Sequence, residues 1–277
     1  MTYPSFSSIH LHPSADGNIF HINLNHGRVN EMGSTELRDW ELLTAHLQDG
    51  DVRAVVTTSD KTTRSGKSIF IAGANVTERS GWDVEQVKAH VRWQRKTLAA
   101  LRKAPAFHVA VVDGLALGWG TEFLITADYR IATPNARFAL PETGIGILPG
   151  AGGTSELSRI ISPPHALRLG MTGEQIDAEE ALRIGLVDEL ASNAEAAKQR
   201  AFELAEMAAK RSPTAIGAFK QGLLACMSMD ETSRQELEAQ AYELCVDAGE
   251  AAIGRENFKA ITSGDTVQWG PKKSLPV

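Results

Sequence analysis

The chain has 277 residues, 43% of them hydrophobic and 22% charged, a balance that excludes disordered, collagen-like and coiled-coil proteins. Its 28 basic and 34 acidic residues leave a net charge of −6, which argues against a nucleic-acid partner because such a partner needs a basic face. The opening MTYPSFSSIHLHPSADG has neither the basic start nor the apolar run of a signal peptide, and no apolar stretch is long enough to span a bilayer, so a cytoplasmic protein without membrane contact is expected.

Residues 5–25 alternate apolar and polar side chains around Ser14-Ala15-Asp16-Gly17, which predicts a hairpin. Leu37, Trp40, Leu43 and Leu47 have the spacing of one helix face over 33–47. A buried strand is predicted at 52–57, a polar turn region at 58–66, and a strand at 69–71 that breaks at Gly73. An amphipathic helix over 83–102 precedes a buried strand at 107–112 and a turn at Asp113-Gly114. Gly118 to Glu122 opens a helix that ends near Ala127, followed by a strand at 129–132 and a short helix after Pro149-Gly150. This strand, strand, helix order places residues 1–192 in the α/β class. Residues 193–277 form a helical C-terminal region, with helices at 194–210, 213–228, 231–247 and 249–260. Pro213 starts one of them at the favoured first turn. The polar tail from Thr262 to Val277 is expected to be loosely held in part.

Cys226 and Cys245 form no CxxC pair, so neither a disulfide framework nor a zinc site is expected. His10 and His12 share one strand face and the other histidines are scattered, so no metal site is expected.

Three stretches can carry chemistry. Gly118-Trp119-Gly120 precedes a helix whose first turn holds Thr121 and Glu122. The unpaired N–H groups and partial positive charge of a helix start suit an anion, but taken alone the stretch reads first as a tight strand-to-helix turn with no ligand. Ala72-Gly73-Ala74-Asn75 follows a strand, and its small residues let a ligand approach the backbone. Alone it reads first as an ordinary βα turn. Glu142 heads a proline-bounded loop, 141–154, with five glycines, a costly composition in backbone entropy. The loop lacks the Gly-Lys-Ser/Thr of a phosphate-binding loop.

Together these stretches resemble the enoyl-CoA hydratase/isomerase (crotonase) superfamily. Ile71-Ala72-Gly73-Ala74-Asn75 resembles the family's Ala-Gly-Ala-Asp word. Gly118-Trp119-Gly120-Thr121-Glu122-Phe123 resembles Gly-Gly-Gly-Cys-Glu-Leu and is followed by Ala127-Asp128-Tyr129-Arg130-Ile131-Ala132. Phe138 to Thr154 looks like Phe-x-x-Pro-Glu-x-x-x-Gly-x-x-Pro-Gly-x-Gly-Gly-Thr. Residues 170–187 and the first loop, with Leu24-Asn25 and Asn30, extend the match over nearly the whole chain.

The resemblance implies a spiral of ββα units with a helical C-terminal region, assembled as a homotrimer or a homohexamer. It implies an acyl-CoA thioester substrate and no separate cofactor, coenzyme A entering as part of the substrate. The Ala74 and Trp119 N–H groups would hold the thioester oxygen as it becomes negative, Glu122 would activate water for attack at Cβ, and Glu142 would deliver a proton to Cα. Arg28, Asn30, Ala72, Gly73, Asn75 and Gly118 would contact the coenzyme A portion. Keeping both glutamates favours hydration of a trans-2-enoyl-CoA. The alternatives are another crotonase reaction, whether isomerisation, hydrolysis or C–C cleavage, or a non-catalytic acyl-CoA-binding protein.

Four departures accompany the match. Trp119 stands where the family has glycine, and its indole either narrows the acyl pocket or turns into the core. Asn75 replaces an aspartate. The basic cluster after the last helix is thin, with Lys259 followed by Ala260-Ile261-Thr262, and the first loop is short, with His26-Gly27-Arg28.

Overall fold

A computed structural model describes residues 3–275. Met1, Thr2, Pro276 and Val277, the last two belonging to the predicted tail, lie outside the described residues. The strands are β1 (Ile9–Pro13), β2 (Ile19–Leu24), β3 (Ala54–Ser59), β4 (Ile69–Ile71), β5 (Phe107–Val112), β6 (Leu115–Leu117), β7 (Tyr129–Ala132), β8 (Arg137–Ala139), β9 (Ile176–Asp177) and β10 (Glu189–Leu190). The helices of the core are α1 (Ser34–Asp49), α2 (Val84–Lys103), α3 (Trp119–Phe123), α4 (Gly153–Glu156), α5 (Pro163–Thr172) and α6 (Ala178–Ile184). They are followed by α7 (Ala194–Ala209), α8 (Pro213–Cys226), α9 (Glu231–Asp247), α10 (Glu250–Glu256) and α11 (Phe258–Thr262).

Two sheets run in the orders β1-β2-β3-β5-β7-β10 and β4-β6-β8-β9. Three times the chain lays a strand in the first sheet and the next in the second, as β3-β4, β5-β6 and β7-β8, before a helix returns it. The β2-β3, β3-β5 and β5-β7 pairs are parallel, as are β4-β6 and β6-β8. Parallel strands are stable when both faces are covered, and here they are. Along β3 and β5, Val55, Ala110 and Val112 point into a core with Trp40, Phe70 and Phe123. The alternate residues Ala54, Val56, Val109 and Val111 point the other way, onto Ala197, Ala201 and Ala205 of α7. This is the period of two that a strand imposes.

α2 starts with Asp83 and Gln86 in a reciprocal capping box. The same helix runs beside α1 and beside the turn at Leu124–Thr126. α8 is held to the core by Lys220, whose Nζ donates to Asp128 Oδ2 at 2.7 Å and to the Ala106 carbonyl at 2.9 Å.

The predicted hairpin, the strands at 69–71, 107–112 and 129–132 and the helices at 33–47 and 83–102 are all present. The single helix expected over 249–260 is two, broken at Asn257, whose Nδ2 donates to the Ile253 carbonyl at 2.9 Å. A side chain that bonds nearby backbone in this way competes with helix continuation. The tail is more firmly held than its composition suggests. Val267 and Leu275 are buried, Trp269 Nε1 donates to the Lys210 carbonyl, and the Lys272 and Lys273 N–H groups donate to Asp51 and Thr214.

Candidate active site

The neighbouring parallel strands β4 and β6 end side by side, so the two small-residue segments that follow them lie together. Gly120 shows how closely. A Cβ built on it would lie 2.2 Å from the Ile71 carbonyl oxygen, so no larger residue fits where α3 starts against the end of β4. Gly118 has φ +54, in the left-handed region that favours glycine. This turn leads into α3, and the Gly118 carbonyl accepts from the Thr121 and Glu122 N–H groups.

Two backbone donors remain unspent at these strand ends. In the 72–75 segment the Ala72 N–H donates to the Val29 carbonyl and the Asn75 N–H to the Met32 carbonyl, while the Ala74 N–H has no acceptor among the described residues. Trp119 occupies the first position of α3, where a helix leaves its N–H groups free, and no acceptor takes its N–H either among the described residues.

Glu122 projects from α3 and is 3% exposed. Its Oε1 accepts from the Ala151 and Gly153 N–H groups, both at 2.8 Å. Burial pushes this carboxyl up to about 7; the charge of Glu142 adds to the rise, while the two N–H bonds and Arg95 oppose it. Glu142 sits in the 3₁₀ turn Pro141–Ile145 and is half-buried. Burial raises its carboxyl as well, and its Oε2 is enclosed with no hydrogen-bond partner among the described residues. Its Oε1 lies 2.7 Å from the point where a Cβ would stand on Gly118, so the carboxyl lies against the turn that carries the Trp119 N–H. A cavity of about 150 Å³ is lined by Glu122 together with Arg95, Leu98, Ala151, Gly152 and Ser155 among others.

The remaining residues named from sequence divide into three groups. Gly73, at φ +115, passes its carbonyl to the Met32 N–H, and with Ala72 it ties the 72–75 segment to the first loop. Arg28 is exposed and forms no ion pair among the described residues. Asn30 and the side-chain oxygen of Asn75 are spent on structure. Asn30 is fully buried; its Nδ2 donates to Ser59 Oγ at 2.9 Å and to the Phe70 carbonyl at 2.8 Å, and its Oδ1 accepts from the His26 N–H. That leaves its side chain no free group for a ligand. Asn75 Oδ1 caps the turn that follows, accepting from Thr77 Oγ1 and the Glu78 N–H.

Of the two positions open to the Trp119 indole, the structure shows the inward one. The side chain is 2% exposed and stacks on Phe123 at 5.8 Å, and Phe123 in turn meets Trp40 at 4.9 Å. Sequence reasoning missed Ala151, Gly153 and Arg95. The glycine-rich word at 150–153 was visible, but backbone donors leave no side-chain signal. Among the described residues, no group of three His, Cys, Asp or Glu side chains is arranged to hold a metal, and no helix is long and apolar enough to cross a membrane.

A spiral of ββα units with a helical C-terminal region is the crotonase architecture. The enoyl-CoA hydratase/isomerase family profile matches residues 15–261, and the chain belongs to that family. It is 32% identical over 232 residues to the short-chain-enoyl-CoA hydratase of Clostridium acetobutylicum, covering 83% of this chain and 87% of the relative. It is 30% identical over 257 residues to a probable mitochondrial enoyl-CoA hydratase 2 of Arabidopsis thaliana, covering 92% and 83% of the two chains. Its structure resembles that of an enoyl-CoA hydratase from Bacillus anthracis with a TM-score of 0.85 at 30% identity, covering 96% of this chain and 100% of the other. Pseudomonas aeruginosa DspI is also similar, with a TM-score of 0.84 at 29% identity, covering 97% and 98%.

Proposed function

We propose that this protein adds water reversibly to a trans-2-enoyl-CoA. The observation that carries this reading is the pair of carboxyls, both raised by burial, beside two unspent backbone N–H groups. Two carboxyls that influence each other and sit in a poorly hydrated site divide into one base and one acid near neutrality.

The thioester oxygen accepts from the Ala74 and Trp119 N–H groups. Glu122, with Oε1 held by the loop, takes a proton from water through Oε2. The water oxygen bonds to Cβ, and the C=C electron pair moves toward Cα and the thioester oxygen. The two N–H donors stabilise that enolate charge, each worth about 10²–10³ in rate. The pair reacts with its one proton on Glu142, which gives it to Cα, and the product is the 3-hydroxyacyl-CoA. Glu122 then holds the proton that Glu142 lost, and exchange with water restores the starting state. The free guanidinium of Arg28, near the first loop, offers a partner for a phosphate of coenzyme A.

The rate should follow the one proton that the pair holds. Glu122 must be ionised while Glu142 is protonated, so activity falls as pH rises through about 7, where the pair gives up that proton, and falls again at low pH, where a second proton arrives. A kcat/KM profile against pH checks this; a rate that stays at its maximum well above pH 7 would remove the shared-proton pair.

The same reading extends to assembly. Phe219 and Leu223 on α8, with Met227 at its C-cap, form an exposed apolar stripe, and Tyr242 and Val246 form another on α9. Contiguous exposed apolar surface of this kind marks an interface, and a homotrimer or homohexamer of this chain is expected. Light scattering at micromolar concentration should report three or six copies, and a monomer would contradict it.

A further inference from the structure

We propose that Arg95 is a positioning residue for Glu122 and acts on it through a single peptide unit. The inference rests on the reading of Glu122 as the general base. Arg95 lies on the exposed flank of α2, one turn beyond Val91. Its Nε donates to the Gly150 carbonyl at 3.1 Å, and no other group of the described residues donates to that oxygen. The Gly150 carbonyl and the Ala151 N–H are the two ends of one planar peptide. The Ala151 N–H donates to Glu122 Oε1 at 2.8 Å. The guanidinium thus connects to the carboxyl through an unbroken chain of carbonyl, amide and hydrogen bond.

Two physical effects follow from this chain. A carbonyl that accepts a hydrogen bond from a cation becomes more polarised, and its N–H becomes a stronger donor. A stronger donor favours the ionised form of the carboxyl it serves. The charge of Arg95 also acts on Glu122 through space and in the same direction. The second effect is geometric. Glycine at 150 lets the loop lie flush on α2, because a Cβ there would come within 3.2 Å of Val91 Cγ1. Arg95 fixes the rotation of the 150–151 peptide on that surface, and with it the direction in which the Ala151 N–H points.

The surrounding loop has other ties, so losing Arg95 frees one peptide without unfolding the site. The Thr154 N–H and Oγ1 both donate to the Pro149 carbonyl, and the Glu156 N–H donates to the Gly152 carbonyl. Glu156 also pairs with Arg102 and Arg159. None of these contacts involves the 150–151 peptide. A purely structural role for Arg95 would move the melting temperature and leave the titration of Glu122 unchanged.

The test compares wild type with Arg95→Gln in the full chain by three readouts. The first is the ¹³C titration of Glu122 in glutamate-labelled protein, with the resonance assigned by its loss in Glu122→Gln. The second is kcat and KM with crotonyl-CoA, and the third is the melting temperature. Arg95→Gln is expected to raise the Glu122 midpoint by about half a pH unit. It should lower kcat about tenfold with little change in KM, the signature of a misaligned catalytic group. The melting temperature should stay nearly unchanged, as for most surface substitutions. An unchanged midpoint overturns the proposal, and so does a shifted midpoint with unchanged kcat in an active enzyme. If wild type hydrates no enoyl-CoA while Arg95→Gln still shifts the midpoint, the hydratase reading fails and the coupling of Arg95 to Glu122 stands.

Discussion

Glu122→Gln is expected to lower hydration by about 10²–10⁴-fold, the range that a general acid or base supplies. The substitution keeps the shape, and the amide oxygen can still accept from the Ala151 and Gly153 N–H groups, so the loop should remain in place. The loss should appear in kcat more than in KM. Glu142→Gln should fall similarly, because an amide has no acidic proton to give to Cα. Near-normal turnover in either variant would remove the two-carboxyl mechanism.

Stability gives an independent check on the same residue. The Glu122 carboxyl is raised in the folded protein from 4.5 to about 7. Between these values the folded state keeps a proton that the unfolded chain has lost, so wild type loses stability as pH rises through that window. The side-chain amide of the Glu122→Gln variant does not titrate. Its melting temperature should therefore gain on wild type between pH 4.5 and 7, while its activity remains low at every pH.

The second large effect concerns Trp119, where backbone and side chain have separable roles. The indole is buried against Phe123, and deleting an aromatic side chain of this size from a core costs about 3–5 kcal/mol. Trp119→Gly should therefore melt well below wild type yet retain most of its turnover at low temperature, since its N–H remains. Trp119→Pro loses the indole as well, and it also lacks the N–H. Proline is tolerated at the first position of a helix, which is where residue 119 stands. The two variants should melt at similar temperatures, with Trp119→Pro slower by a further 10²–10³ or so. Equal turnover in the two variants would show that this N–H does not hold the thioester oxygen.

Much of the fold was legible because its longer strands are short apolar runs bounded by turn residues. β4 ends at Ile71, shortly before Gly73, and β5 ends at Val112, just before Asp113-Gly114, and both were located to the residue. β6 and β8 were missed. Each is as short as β4, but Leu115-Ala116-Leu117 and Arg137-Phe138-Ala139 lack the β-branched and aromatic run Ile69-Phe70-Ile71 that marks β4 as a strand. They exist because neighbouring strands supply partners, which is information that a local window does not contain. The candidate site was legible where it depends on side-chain identity, as with Glu122 and Glu142, or on small residues at strand ends. It was not legible where it depends on backbone geometry. Ala151 and Gly153 hold Glu122 through N–H groups that any non-proline residue possesses, and Arg95 reads in sequence as a solvated cation on an amphipathic helix. Asn30 shows the opposite case. The residue type suits a ligand contact, but Ser59 and Phe70, distant in sequence, occupy its side chain.

The most direct test of the account is to incubate the protein with crotonyl-CoA in ¹⁸O-labelled water and to identify the product by mass, with Glu122→Gln and Glu142→Gln alongside. Wild type should give 3-hydroxybutyryl-CoA carrying one labelled oxygen, and each variant should form it about 10²–10⁴-fold more slowly. Labelled product formed equally fast by all three proteins, or no incorporation of water by wild type across a panel of trans-2-enoyl-CoAs, would contradict it.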